Sequence, residues 1–300
     1  MKSMPMRSRT RGISLIEILI SLVIGLVIVG AVLISMIGSG KAGRYQAAYT
    51  QMNEDAQIAL SILSRDLQLA GYSAPTGLIA GPIPPQQILV FGALGATNRI
   101  FGCDTGFVDP KAVALVCGAV AGAQPAFEVA YQADLRTTAP QGGGAGNPSD
   151  CLGNGITPVG GIYIARNRYF ISIGPAGRPE LSCTSVYAAA PPHPTPQPLV
   201  ENIEAMALSY GVVIPGAAVP TQVVRYVTAT EVNAVGPGEW LNVSSVRVCL
   251  LVRSSDPVLD IGEEDLPPHY IDCAGVLRPP PDRHLRRVYF TTAAIRDKMP

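Results

Sequence analysis

Three hundred residues are long for one domain and short for two large ones. Hydrophobic residues make up 48% of the chain and charged residues only 15%, so part of it is strongly apolar. The formal net charge is zero, which argues against a nucleic-acid partner held by bulk charge, and the 31 Gly and 27 Pro lack the strict repeat of collagen.

Residues 1–12, MKSMPMRSRTRG, carry Lys2, Arg7, Arg9 and Arg11 and no acid. The 25 residues from Ile13 to Ile37 then contain a single charge, Glu17. At about 1.5 Å per residue they reach about 37 Å, enough for a bilayer core of about 30 Å. Beyond the span come Lys41 and Arg44, a smaller basic excess, so the chain is expected to enter the inner membrane with its N-terminus inside and the rest in the periplasm. A cleaved secretory signal has an apolar region of about 7–15 residues, shorter than this one. A plain signal anchor explains the span but not Glu17, because an ionised carboxylate at the centre of a membrane helix costs about 2.5–3.5 kcal/mol. GSGKAG, Gly38 to Gly43, fits a phosphate-loop pattern only superficially. A long apolar helix rather than a short strand precedes it, Ala42 stands where Ser or Thr is needed, and it reads as a flexible exit from the membrane.

Residues 44–70 contain no Pro or Gly, and Tyr45, Ala48, Tyr49, Met52, Ala56, Ala59, Ile62 or Leu63, and Leu67 recur at steps of three and four. The spacing predicts an amphipathic helix ending near Gly71. After residue 72 short apolar runs alternate with Gly and Pro clusters. Strands are expected at 87–91, 127–131, 161–165, 168–173, 206–214, 223–228, 243–253 and 286–295, forming an antiparallel head of one or two sheets. The clearest alternation sets Val246, Val248, Leu250 and Val252 against Arg247, Cys249, Leu251 and Arg253. Residues 142–150 read as a loop, and the proline-rich 191–198 as an extended connector that subdivides the head.

Little in this head suggests catalysis. His193, His269 and His284 lack partners at metal or general-base spacing, so no enzyme and no cofactor are expected. The acidic run holding Asp256, Asp260, Glu263, Glu264 and Asp265 is the one Ca²⁺ candidate, but without EF-hand spacing it reads as a solvated loop. Six cysteines, all at or after Cys103 and none in a CxxC pair, point to disulfides in an oxidising compartment. They allow 15 pairings. Sequence neighbours, Cys103–Cys117, Cys151–Cys183 and Cys249–Cys273, are the first expectation, with Cys249 in a strand and open to another partner.

Gly12 followed by Ile13-Ser14-Leu15-Ile16-Glu17 resembles the processing site of type IV prepilins, with Ile13 in place of the usual Phe. IALSILSRDLQLAGY (58–72), LVENIEAMALSYGV, VRYVTATEV, Trp240, SVRVCLLVRS and RHLRRVYFTTAAIRD resemble PilW-type minor pilins. The stretch from about 76 to 158 carries little of this likeness. The resemblance implies an α+β fold, a long N-terminal helix packed on a large antiparallel β head. It divides the chain into a cleaved leader (1–12), a transmembrane assembly helix (13–38), an amphipathic continuation (39–71) and the head (72–300). It implies cleavage between Gly12 and Ile13 by a prepilin peptidase, N-methylation of Ile13, and Glu17 as the assembly residue that meets a neighbour's N-terminal amine. The implied role is a minor pilin that primes pilus assembly at or near the tip, ending in the fibre at the cell surface. The implied partners are other minor pilins, the major pilin, the inner-membrane assembly platform and a PilY-type tip adhesin. Two other readings stand beside it: a J-type pseudopilin of type II secretion, and a membrane-anchored periplasmic binding module.

Overall fold

A computed structural model of the chain describes residue 12 and residues 14–74, 98–120, 122–141, 146–186, 194–214, 222–259 and 269–296, the side chains at 37 and 38 excepted. The strand expected at 87–91, the residues Ile13, His193, Asp260, Glu263, Glu264 and Asp265, and most of the leader lie outside these residues. The fold is α+β, a long N-terminal helix and a mostly antiparallel β head.

Helix α1 runs from Leu15 to Leu69, and by length and composition it is suited to crossing a membrane. Gly38–Gly43, expected as a flexible exit, is helical. A run without proline has no reason to break, and a few glycines weaken a helix without ending it. The chain divides into two compact units, residues 1–48 and 49–300.

In the first unit the side chains of Leu15–Met36 are almost all exposed, as lipid-facing or partner-facing side chains must be in an isolated chain. In the second unit α1 carries its apolar stripe inward, with Met52, Ala56, Ala59, Leu63 and Leu67 fully buried. Gly71 ends the helix at φ +79°, a conformation that favours glycine, and its N–H reaches the carbonyl of Ala130 at 2.9 Å. That bond ties the helix terminus to the head.

Among the described residues the head holds two main sheets. The first has five antiparallel strands in the order β1 (Ile100–Cys103), β2 (Ala126–Gln132), β3 (Ile164–Ile173), β4 (Pro179–Ser185) and β5 (Gln197–Glu201). The second takes β6 (Ile203–Val212), β7 (Arg225–Val227), β8 (Val243–Arg253) and β11 (Arg286–Ala294) in the spatial order β11-β8-β6-β7. A two-residue-per-strand hairpin, β9 (Tyr270–Ile271) and β10 (Leu277–Arg278), precedes β11. The chain passes from the first sheet to the second at Asn202, which stands at φ +63°.

Val246, Val248, Leu250 and Val252 are all fully buried, as the alternation in β8 predicts, but Cys249 and Leu251 on its other face are buried as well. Elsewhere the strands depart from expectation. Residues 161–165 and 168–173 are not two strands. β3 is continuous from Ile164, and Gly160–Gly161, at φ +60° and +82°, make the turn before it, closed by the Ile162 N–H to the Val159 carbonyl at 3.1 Å. The connector expected at 191–198 ends too late. Gln197 and Pro198 already pair with Cys183 and Ser182, and an edge strand tolerates proline because its outer N–H has no ladder partner. A seven-residue helix, α2 (Ala229–Val235), follows β7, started by a capping box between Thr228 and Glu231.

Candidate assembly site

The segment around Gly12 is built from very few constraints. Ser14 supplies the first helical carbonyl, accepting from the N–H groups of Glu17 at 3.0 Å and Ile18 at 3.2 Å. Glu17 therefore sits in the first turn of α1, where a carboxylate is favoured by the exposed N–H groups. Its side chain is exposed and forms no ion pair among the described residues. The Ser21 hydroxyl bonds back to the Glu17 carbonyl. A Cβ built on Gly12 would meet nothing within 4 Å, so the fold itself does not require glycine there.

The other candidate residues fall in the head. Three disulfides join Cys103 to Cys117, Cys151 to Cys183 and Cys249 to Cys273, across separations of 14, 32 and 24 residues. The first staples a loop against one face of the first sheet. There Arg168 reaches the carbonyls of Pro110 and Ala112 at 2.6 Å each, and both Arg166 and Arg168 bond Glu128, at 2.9 and 2.6 Å. The third ties the region of the β9–β10 hairpin to β8, since Cys273 lies between those strands. His269 lies just before β9. His284 lies before β11, and its Nδ1 is 2.7 Å from the Ser254 carbonyl. Neither joins a group of metal-ligating side chains among the described residues, nor does Asp256.

Sequence reasoning missed a buried acid of the head. Asp66, on the inward face of α1, is only 8% exposed. Its carboxylate accepts from the Tyr169 hydroxyl and Asn167 Nδ2 at 2.6 Å each, and from the Tyr131 hydroxyl at 3.3 Å. Burial raises its pKa, and the donors from Tyr169, Asn167 and Tyr131, with Arg65 nearby, pull the other way. These three side chains come from one face of β2 and β3, where Val129 lies opposite Asn167 and Phe127 opposite Tyr169. A cavity of about 300 Å³ opens beside them, lined also by Ile62, Asp150 and Leu199. The signal available in the sequence was an acid one residue from the apolar Leu67 in an otherwise greasy stripe. Its partners lie more than 60 residues away and could not be read.

Two family models match the chain. The prokaryotic N-terminal methylation motif covers residues 7–33, and type IV pilus-assembly protein W, PilW, covers residues 168–297. The first takes in Gly12, Glu17 and the exposed apolar half of α1. The second takes in most of the head from β3 to β11. No curated protein and no solved structure matches the chain.

Proposed function

We propose that this chain, which matches the N-terminal methylation motif at one end and PilW at the other, is a type IV prepilin-like minor pilin that works at or near the pilus tip, where it primes assembly. The observation that supports the reading most is the pairing of a methylation motif with an exposed apolar helix carrying one carboxylate. A prepilin peptidase cuts between Gly12 and Ile13. The product loses four basic residues and becomes net negative, and the new amine at Ile13 stays cationic when methylated. As α1 leaves lipid for the core of a fibre, its side chains exchange one apolar surrounding for another, so the polar groups set the register. Glu17 is the only acid in the span, and a neighbour's terminal amine supplies the cation that it lacks among the described residues.

Substitution separates the two steps. Gly12→Leu blocks cleavage and leaves a chain of full mass in the membrane. Glu17→Ala is cleaved normally but falls at least tenfold in the sheared pilus fraction. Wild-type levels of mature, pilus-associated protein from either variant would overturn the assignment. No catalytic role is proposed for the head, and its Ca²⁺ candidate is set aside in favour of a structural part. The match to PilW also favours a pilus over the pseudopilus of type II secretion.

A further inference from the structure

Strand β11 closes one edge of the second sheet, bonded on one side only, to β8. Its register reveals which backbone groups point away. The Ser254 N–H bonds the Leu285 carbonyl at 2.9 Å, and the Ile295 N–H bonds the Ser244 carbonyl at 2.8 Å. The pairing is regular between these points, so the odd-numbered residues of β11 exchange hydrogen bonds with β8. On the far side of the strand β8 confirms the parity, since the Arg253 N–H turns to the Asn202 carbonyl. The N–H and C=O groups of Val288, Phe290 and Thr292 therefore face outward, and none has a hydrogen-bond partner among the described residues.

Such an edge is a template for another strand, and soluble proteins usually blunt it with proline, a bulge or inward charges. Between Val288 and Ala294, β11 has none of these: its residues are VYFTTAA, and the pairing with β8 has no register shift. One face is already committed, because Tyr289 bonds Asn53 at 2.6 Å and Thr291 lies 3.5 Å from Ser64 on α1. Phe290 is on the other face and is 65% exposed. Charge narrows the partner. Arg286 is neutralised by Glu204 and Asp282 at 2.7 Å each, whereas Arg287 is exposed and lies over the Tyr289 ring at 5.6 Å, with no ion-pair partner among the described residues. No acid occurs between residues 283 and 296.

We propose that the outer edge of β11 receives an extended strand from a neighbouring subunit, one with apolar side chains at alternate positions and an acid facing Arg287. The backbone groups of Val288, Phe290 and Thr292 give the pairing, and Phe290 packs on the incoming strand. This inference rests on the chain being a subunit of an assembly.

Proline at an outward position tests it, because it removes only the outward N–H and leaves the ladder to β8 intact. Full-length Phe290→Pro and Thr292→Pro are compared in the native cell with Phe290→Ala and Thr292→Ala. Each purified variant is first checked for a thermal midpoint close to wild type. Recovery in the sheared pilus fraction is expected to drop at least tenfold for both proline variants and less than threefold for Thr292→Ala. Wild-type recovery of the folded proline variants would overturn the inference, as would equal losses for proline and alanine at both sites. Glu17→Ala runs alongside, and its unchanged recovery would instead defeat the pilin reading. If the proline variants unfold, hydrogen exchange of unmodified protein decides. The amides of Val288, Phe290 and Thr292 should exchange fast in the purified subunit and at least tenfold slower in the assembled fibre. Equal exchange in both states would refute strand addition.

Discussion

Asp66 shows how one side chain can fasten an element. Three donors from β2 and β3 converge on it, and removing the acceptor would strand two hydroxyls and an amide in a buried site. Asp66→Ala is expected to destabilise the head by about 3–5 kcal/mol, and Tyr169→Phe by about 1.5–3 kcal/mol, as read from urea unfolding. Because burial raises the Asp66 pKa above its ordinary 3.8, the folded state holds that proton more tightly than the unfolded one. Its contribution is then best below 3.8 and is lost as pH rises through the folded value. The stability of Asp66→Asn relative to wild type should therefore increase with pH across that window, and a flat difference would contradict the buried-charge account. Asp282 goes the other way. Hydrogen bonds from Arg286 hold it at about 2, so its contribution is fully present above 3.8 and is lost as pH falls from there through about 2. Asp282→Asn should flatten this acid-side loss.

At the scale of elements, the head half of α1 is a packing device, and its two faces should respond differently. Leu63→Ala is expected to cost about 2–5 kcal/mol, because Leu63 is fully buried, whereas Ile58→Ala, half-exposed, should stay within about 0.5 kcal/mol. Equal effects in urea unfolding would mean that the helix does not bury the stripe seen here. The stripe was legible because a 3.6-residue period fixes which side chains share a face, and β8 was legible because period two does the same for a strand. What escaped was non-local. β1 and β4 are short or carry polar residues such as Glu180, Ser182 and Thr184, whose burial depends on strands above and below them. β5 was hidden by its proline, and the polar Arg166 and Asn167 inside β3 cut one strand into two readings. The even number of cysteines announced disulfides, since a head of this kind uses them to hold long loops such as 103–117. The acid at Asp66 carried no label, because a buried charge is recognised only by the donors that surround it.

The whole molecule joins two kinds of surface chemistry. Its N-terminal unit exposes an apolar helix with one carboxylate, useless in water and suited to lipid or to a bundle of like helices. The second unit is a two-sheet head whose core is closed by disulfides and buried ion pairs, with an edge at β11 that is unpaired among the described residues. That division suits a subunit that is stored in a membrane and then drawn into a fibre. The account depends above all on processing at Gly12, because without it the amine that Glu17 is proposed to meet never forms. The most direct test is mass spectrometry of the N-terminal peptide from protein made in its own cell. The account predicts a chain that begins at N-methylated Ile13. A chain that still begins at Met1, in cells whose peptidase cleaves their other prepilins, would contradict it.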